Sequence, residues 1–310
     1  MHQPAYIALY EKGELQRRVE ALGKILTSCC LCPRACQVNR LNGEKGYCQA
    51  GAEVMISSAF SHFGEEPPLV GSHGSGTIFL THCNLRCVFC QNYDISHLGE
   101  GRRISTSELA QLMIGLQLRG CHNINFVTPT QYVPQIVAAL PRAIELGLTI
   151  PLVYNCGGYE SLEVIKLLDG IIDIYMPDTK FSREEAAALY CNAPDYPRVL
   201  QEVLLEMHRQ VADLLLDKRG VAYRGILIRH LVMPHGVAGT REIIAFIARR
   251  VSANSYVNIM DQYRPTWKVL EDGHPLFPRL RRGITSKEYR QAVEWARGAG
   301  LHRGIPFDSR

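Results

Sequence analysis

Six short apolar segments alternate with helical patterns from about residue 76 onward. Apolar runs of this length, bounded by turn residues, are typical of buried strands. Strands that alternate with helices build a parallel sheet, because each helix returns the chain to the same edge. The chain is therefore predicted to be an α/β protein, with fewer βα units than the eight of a closed TIM barrel. The predicted strands span residues 76–81, 123–127, 149–154, 171–175, 225–230 and 256–260.

Local signals add detail to the helices between these strands. Ser105 and Glu108 form a capping-box pattern, which predicts a helix that begins there. Residues 182–218 are predicted to be helical throughout, with a break near Pro194 and Pro197.

Polar side chains follow every predicted strand. The carboxyl ends of parallel strands meet at one edge of a sheet, and the chemistry of such folds gathers at that edge. A run of six polar strand ends therefore predicts a functional site there. After the first strand come three cysteines, and the later strands contribute Thr128, Thr130, Asn155, Cys156, Asp178, Lys180, Arg229, His230 and Gln262.

The loop after the first strand carries Cys83, Cys87 and Cys90 in the spacing C-x3-C-x2-C. A closed zinc site and a fully ligated [4Fe–4S] cluster both need four protein ligands. Three thiolates leave one coordination position open on either metal. The count alone therefore predicts a metal site with room for a further ligand, and leaves the metal undecided.

A second cysteine group lies near the N-terminus. Cys29, Cys32, Cys36 and Cys48 follow the spacing C-x2-C-x3-C-x11-C and supply four soft ligands. Four thiolates suit a structural zinc ion or a second Fe–S cluster equally well. Cys30 is an alternative to Cys29 in this set, and free thiols packed as small apolar side chains are the alternative to any metal.

Composition fits a protein of a reducing compartment. The 310 residues include 11 cysteines, an odd number, and several of them are clustered as metal ligands rather than spread as a disulfide framework. No basic stretch followed by an apolar run suggests a signal peptide, and no apolar run is long enough for a transmembrane helix. We therefore expect a cytoplasmic protein without a membrane partner. The formal net charge of +4 and the absence of a concentrated basic block predict no nucleic-acid partner.

The cysteine loop resembles that of the radical S-adenosylmethionine (SAM) superfamily, which uses C-x3-C-x-aromatic-C after a strand, with Phe89 as the aromatic residue. More narrowly, the chain is similar to the branch related to pyruvate formate-lyase activating enzyme (PflX-type). The segments that carry this similarity are CCLCPRACQVNRLNGEKGYC, SGTIFLTHCNLRCVFCQNYDIS, VYNCGGYE, DIYMPDTK, GILIRHLVMP and NIMDQYRP.

The resemblance implies a partial (β/α)6 TIM-like barrel over residues 71–310, with a C-terminal helix. Residues 1–70 would form a small extension, made of an N-terminal helix and the cysteine-rich knuckle. It also implies a [4Fe–4S] cluster on Cys83, Cys87 and Cys90 that binds SAM at its open iron. Reductive cleavage of SAM would give methionine and a 5′-deoxyadenosyl radical, which takes a hydrogen atom from the substrate. The protein would thus be an oxidoreductase.

The remaining site residues take roles that the resemblance implies. Lys180 would hold the SAM carboxylate, with Asp178 as its ion-pair partner, and Phe89 would lie against adenine. Activating enzymes carry Gly-Gly-Glu after the second strand, where this chain has Thr128 and Thr130, and a histidine after the sixth strand, where it has Gln262. A SAM-contacting role is also expected for Asn155, and an anion- or ribose-binding role for Arg229.

Three functions stay open at this stage. In the first, the radical is passed to a glycyl residue or another peptidyl site of a partner protein. In the second, the substrate is a small molecule. In the third, the chain is an electron carrier with two clusters, which the three-cysteine site disfavours because carriers rarely leave a coordination position open. Either enzyme would need a low-potential electron donor of the flavodoxin or ferredoxin type.

Overall fold

Nine strands form one mixed sheet within residues 3–271 and 277–306, the part of the chain that the computed structural model describes. In chain order they are β1 (Val54–His62), β2 (Ser75–Leu80), β3 (Arg102–Ile104), β4 (Ile124–Val127), β5 (Leu152–Cys156), β6 (Ile174–Pro177), β7 (Leu215–Leu216), β8 (Ala222–Leu231) and β9 (Tyr256–Met260). The hydrogen-bonded order is β3-β1-β2-β4-β5-β6-β8-β7, and β9 also pairs with β8.

Strands β2, β4, β5, β6, β8 and β9 are parallel and follow one another in chain order, which confirms the predicted βα alternation. The expectation of a purely parallel sheet is wrong, because β1 and β3 extend the sheet antiparallel at the β2 edge and β7 pairs antiparallel with β8. β1 escaped the sequence reading because its serines and partly exposed positions hide a regular apolar alternation. It lies inside the predicted extension 1–70 and pairs along its length with β2.

Eleven α-helices connect or flank these strands in the described ranges. They are α1 (Ala5–Glu11), α2 (Glu14–Ile25), α3 (Pro67–Val70), α4 (Tyr93–Ser96), α5 (Thr106–Leu118), α6 (Val133–Glu145), α7 (Leu162–Leu167), α8 (Glu184–Cys191), α9 (Tyr196–Val211), α10 (Thr240–Phe246) and α11 (Ser286–Gly298). The predicted capping box is confirmed: Ser105 Oγ accepts from Glu108 N at 3.1 Å, and Glu108 Oε2 accepts from Ser105 N at 2.8 Å. No helix in these ranges is long and apolar enough to cross a bilayer.

The prediction that residues 182–218 are helical throughout, with a break near Pro194 and Pro197, is correct only in part. α8 ends where Asn192 takes a left-handed φ of 52°, and α9 begins only at Tyr196, with Pro197 in its first turn. After α9 the backbone turns at Ala212, whose carbonyl accepts from Ile226 N at 3.0 Å and leads the chain into the β7–β8 pair. The break near the prolines is therefore real, but it separates two helices, and the last seven predicted positions leave the helix.

Two predicted strands begin too early. The predicted strand 149–154 corresponds to β5, which starts at Leu152, and the predicted strand 171–175 corresponds to β6, which starts at Ile174. Ile171 and Ile172 are buried in the turn before β6, so an apolar run there reports burial rather than strand. The predicted strand 256–260 is confirmed at both ends by β9.

The short helix α3 lies against the face of the sheet opposite the larger core. Its Leu69 packs with Val153, Ile174 and Leu227 from three parallel strands. Leu69 O also accepts from Asn123 Nδ2 at 2.9 Å beside β4, while Glu66, one residue before α3, accepts from Asn258 Nδ2 on β9 at 3.1 Å. β4 and β9 are four strands apart, roughly 19 Å in a flat sheet. One turn of helix reaches both neighbourhoods because the sheet curves around it.

Candidate functional site

The loop that follows β2 begins with backbone strain. His82 has a φ of 66°, and Thr128, which follows the adjacent strand β4, has a φ of 59°. Positive φ is uncommon outside glycine and a genuine outlier for a β-branched residue such as threonine. Such strain concentrates at functional sites, where the surroundings hold the backbone in place. Gln131 does so here, because its Nε2 donates to His82 O at 3.0 Å and to Thr128 O at 2.8 Å.

Cys83, Cys87 and Cys90 lie on this loop, with Cys87 buried and the other two half-buried. Cys83 Sγ accepts from Leu85 N at 3.4 Å, and Cys90 Sγ lies 3.1 Å from Ser96 Oγ. Burial raises the pKa of the Cys83 and Cys90 thiols, while the positive charge of Lys180 acts to lower the pKa of all three thiols. Burial thus disfavours the free thiolates, and Lys180 acts in the opposite direction.

Cys87 has a neighbour that the sequence did not reveal. Its Sγ lies 3.1 Å from Sγ of Cys191, which ends α8 and is fully buried. This contact, followed by burial, raises the pKa of Cys87 well above its ordinary value. Cys191 is thus a buried thiol in contact with a cysteine of the loop. A separation of 104 residues leaves no local pattern from which the pair could have been found.

Lys180 belongs to a network of partly buried polar side chains at the carboxyl ends of β5, β6 and β8. Its Nζ lies 2.6 Å from Asp178 Oδ2, while Arg229 Nε donates to Asp178 Oδ1 at 2.8 Å. Arg229 also donates to Asn155 Oδ1 at 2.8 Å. Burial alone would raise the pKa of Asp178, but Arg229 and Lys180 together hold it below its ordinary value. Four predicted site residues from three strands thus form one network.

The network continues to two carboxylates that the sequence reading missed. Glu65 and Glu66 each lie 3.7 Å from Arg229 NH1. Burial raises the pKa of Glu65 to about 7, although Arg229 acts to lower it. The paired glutamates stand just before the two prolines that open α3, and this break was the only local sign of them. They extend the network around Arg229 toward β9, where Glu66 accepts from Asn258.

The two threonines after β4 have different surroundings. Thr128 N donates to Asn155 O at 2.8 Å, which ties it to the neighbouring strand. Thr130 is buried and donates to Glu160 Oε1 at 2.9 Å, and Tyr154 donates to the other oxygen of Glu160 at 2.8 Å. Burial raises the pKa of Glu160 to about 7. Glu160, which sequence reasoning also missed, brings a carboxyl group to the place where Thr130 stands.

Two further predicted residues have clear positions. The ring of Phe89 is buried and makes edge contacts with Phe181 and Tyr263, at centroid distances of 6.1 and 6.2 Å. Gln262 is exposed after β9, and its carbonyl accepts from Gln91 Nε2, next to Cys90, at 3.3 Å.

Arg229 and His230 point to opposite faces, as expected for neighbours on a strand. His230 is fully buried, donates from Nδ1 to Thr179 O at 2.7 Å, and has Thr240 Oγ1 at 2.9 Å from Nε2. Burial lowers its pKa to about 4, so it is neutral and structural. Arg229 alone of the two belongs to the polar network.

The four N-terminal cysteines line one cavity. Arg34, Arg40, Asn84, Thr130 and Gln131 contribute to its walls. Thr130 is thus brought together with this second cysteine group. Cys30 is exposed and lines a separate surface groove with Glu160 and Asp195. Across the described ranges, no three His, Cys, Asp or Glu side chains meet in the geometry of a site for a single metal ion.

Comparison with known proteins gives one relative at the level of sequence. The uncharacterized protein MJ0674 of Methanocaldococcus jannaschii is 34% identical over 292 residues, which cover 91% of this chain and 78% of the relative. The chain belongs to the MJ0674 family. No profile of an established protein family matches it. Because MJ0674 is itself uncharacterized, membership of the MJ0674 family assigns no activity.

Among solved structures, the MJ0674-family chain is similar to HydG, a maturase of the [FeFe]-hydrogenase. The TM-score is 0.46 at 14% sequence identity, with 72% of this chain and 48% of HydG covered. The chain therefore spans about half the length of that protein.

Proposed function

We propose that the protein is a radical SAM oxidoreductase. Cys83, Cys87 and Cys90 would bind a [4Fe–4S] cluster, and SAM would bind the iron that they leave open. The carrying observation is that Cys83, Cys87 and Cys90 lie on one loop directly after β2, at the edge of the sheet where Asn155, Asp178, Lys180 and Arg229 form one polar network. Cysteines bind iron as thiolates, and polar groups at the same edge of a parallel sheet can bind a charged ligand. The resemblance of the cysteine loop to the superfamily supports the same proposal.

The donor set fits this cofactor. Three soft sulfurs suit iron–sulfur chemistry, and hydrogen bonds such as the one from Leu85 N to Cys83 Sγ tune sulfur ligands in such sites. A cubane binds each thiolate to a different iron, so its ligands surround a centre and need not meet at one ion. When bound, the cluster would supply the electron that cleaves SAM to methionine and a 5′-deoxyadenosyl radical.

The residues of the chain would bind and orient SAM. Lys180 would hold the carboxylate of SAM. Asp178 is paired to both Lys180 and Arg229 and would fix the position of the Lys180 ammonium. Asn155 is oriented by Arg229 and would present its remaining amide hydrogens to SAM. Phe89 would pack against adenine. Thr128, Thr130 and Gln262 are assigned to the rim of the same site, and the buried loop would limit the access of water.

The partial (β/α)6 barrel belongs to the same proposal. Six parallel strands in chain order and the curvature of the sheet around α3 support it. The substrate would meet the radical on the inner, polar side of the curve. A peptidyl substrate, such as a glycyl residue of a partner protein, follows from the activating-enzyme resemblance, and a small molecule is the alternative.

The proposal is tested by anaerobic reduction of the reconstituted protein with SAM, followed by measurement of 5′-deoxyadenosine and methionine. We expect both products in equal amounts from the wild type and neither from C83A/C87A/C90A. An intact cluster that cleaves no SAM would favour the electron-carrier function instead. Transfer of deuterium into 5′-deoxyadenosine from labelled peptides or metabolites would then separate the two substrate classes.

A further inference from the structure

The cavity between the four N-terminal cysteines is lined from three directions. Cys29, Cys32, Cys36 and Cys48 face it from the knuckle, Asn84 from the loop after β2, and Gln131 from the segment after β4. Cys36 Sγ accepts from Tyr47 N at 3.3 Å. Gly46 is required beside it, because a Cβ there would lie 2.8 Å from Cys36 Sγ. The knuckle backbone is therefore shaped to hold a sulfur in place.

The charges around this cavity point to a negative occupant. Arg40 is 1% exposed and donates to Gln131 O at 2.7 Å and to Gly51 O at 3.0 Å. Arg34 donates to Asn84 O at 3.1 Å and lies 3.9 Å from the centroid of the Tyr47 ring. Neither guanidinium has a carboxylate within ion-pair distance anywhere in residues 3–271 or 277–306.

A buried cation without a counter-charge is strongly unfavourable in a folded protein. Carbonyl partners satisfy the N–H groups of Arg40 but leave its charge unbalanced. Thiolates bound to a metal centre would supply the missing negative charge. A zinc ion and a cluster would both do so, and the arrangement of the cysteines distinguishes them.

A zinc ion holds four thiolates at about 2.3 Å, which brings the sulfur atoms into contact with one another and leaves no space between them. Here all four cysteines line one cavity, yet within the described ranges no three of them meet in the geometry of a site for a single ion. A cubane has inorganic sulfides and irons between its cysteine ligands, so its ligands surround a centre and need not meet at one ion. From this geometry we propose that Cys29, Cys32, Cys36 and Cys48 hold a [4Fe–4S] cluster, and that Arg40 is its buried counter-ion.

The test uses the full chain with the other cysteine site removed. C83A/C87A/C90A is purified without oxygen, reconstituted with iron and sulfide, and analysed for iron, sulfide, zinc and the absorption of an iron–sulfur cluster. We expect about four iron and four sulfide ions per chain. One zinc or one iron per chain without sulfide would overturn the proposal, as would a protein that binds no metal at all.

Two matched variants, made in the same background, separate ligands from neighbours. C32A should lose the cluster, whereas C30A, which removes the exposed cysteine two residues away, should keep the full iron and sulfide content. Equal loss in both variants, or retention in both, would overturn the assignment of the ligands. Because no SAM is involved, four irons in this background would uphold the inference even if the wild type cleaved no SAM.

The role of Arg40 is tested by the reduction potential of the cluster in the same background. R40Q removes the positive charge and should shift the potential to a more negative value, because the reduced cluster gains the most from a nearby cation. R40K keeps the charge and should stay close to the parent protein. An unchanged potential in R40Q would remove Arg40 from the proposal. If R40Q fails to fold, the potential of R40K at low and high salt gives the comparison, and the metal count decides on the cluster independently.

Discussion

The two cysteine groups differ in what surrounds their sulfurs. The loop of Cys83, Cys87 and Cys90 faces a network in which the cations Lys180 and Arg229 are paired with Asp178. The knuckle of Cys29, Cys32, Cys36 and Cys48 faces Arg34 and Arg40, which bind carbonyl groups. The first group therefore lies among groups that can bind a polar molecule, whereas the second would enclose its own centre. On the proposals above, the first site would react and the second would hold a cluster.

The two sites share a wall. Asn84 follows Cys83 directly and also lines the knuckle cavity, and Arg34 donates to its carbonyl. Gln131 connects them a second time, since its carbonyl accepts from Arg40 and its side chain binds Thr81 O at 2.9 Å, two residues before Cys83. A change in one site can therefore disturb the other mechanically. The variants below are chosen to tell such disturbance from loss of a ligand.

The largest expected effect comes from single ligands of the loop. C87A should reduce 5′-deoxyadenosine formation to the background of the assay, because two thiolates do not hold a cubane. C191A, which removes the thiol 3.1 Å from Cys87, is the matched control and should keep cleavage within about threefold. If C191A were as inactive as C87A, Cys191 would itself be a ligand, and the three-cysteine site would have to be redrawn.

A smaller loss is expected from Lys180. K180Q keeps a polar side chain, one bond shorter than lysine, but removes the charge that pairs with Asp178. A hydrogen bond to a charged partner contributes about 1.5–3 kcal/mol, so SAM should bind roughly 10- to 100-fold more weakly. Equilibrium binding of SAM to the reconstituted protein measures this loss. The iron content of K180Q should not change, and a protein without iron would show that Lys180 supports the cluster rather than SAM.

Replacement of Asp178 should change the free energy of unfolding. D178N leaves Lys180 and Arg229 facing each other without their shared carboxylate and should lower the free energy of unfolding by about 2–3 kcal/mol near pH 7. The folded-state pKa of Asp178 lies below its ordinary value, so its stabilisation is present above the unfolded pKa and is lost as the pH falls through the folded pKa. Denaturation of both proteins from pH 7 down to pH 3 should therefore bring their stabilities together. A constant gap would contradict the ion-pair account.

The smallest effect concerns Glu160, which stands between the two sites and has a pKa of about 7. Because burial raises this folded-state pKa, the group stabilises the fold below the unfolded pKa near 4.5 and loses that contribution as the pH rises through 7. E160Q cannot ionise, so the stability of the wild type relative to E160Q should fall by about 2 kcal/mol between pH 5 and pH 8. Chemical denaturation of both proteins at the two pH values measures this difference. No change in the difference would mean that Glu160 is already ionised at pH 5.

Much of the fold could be predicted because its signals are local. Ser105 and Glu108 fix the start of α5, and the apolar run at β9 coincides with the strand. The extra strand β1 carried no such signal, since its conformation depends on pairing with β2 and β3 on either side. The helical prediction over 182–218 had the break near the prolines but missed its end, because Ala212 adopts a positive φ that propensity does not reveal.

Only the site residues that follow directly from their position at a strand end could be predicted. Strand-end residues such as Asp178, Lys180 and Arg229 could be named because parallel strands bring their ends together. Contacts made across the fold could not, and Cys191 and the carboxylates of Glu65 and Glu160 therefore appeared only in three dimensions. The cavity among the N-terminal cysteines could not be predicted either, because spacing alone does not show that four side chains line one space.

The claim of one open and one closed cluster is tested most directly by electron paramagnetic resonance of the reduced protein before and after SAM is added. The wild type should show two signals, of which SAM alters only the one that is missing in C83A/C87A/C90A. The signal that remains in that variant should stay the same with and without SAM. A single signal in the wild type, or a response to SAM in the variant that lacks the loop cysteines, would contradict the account.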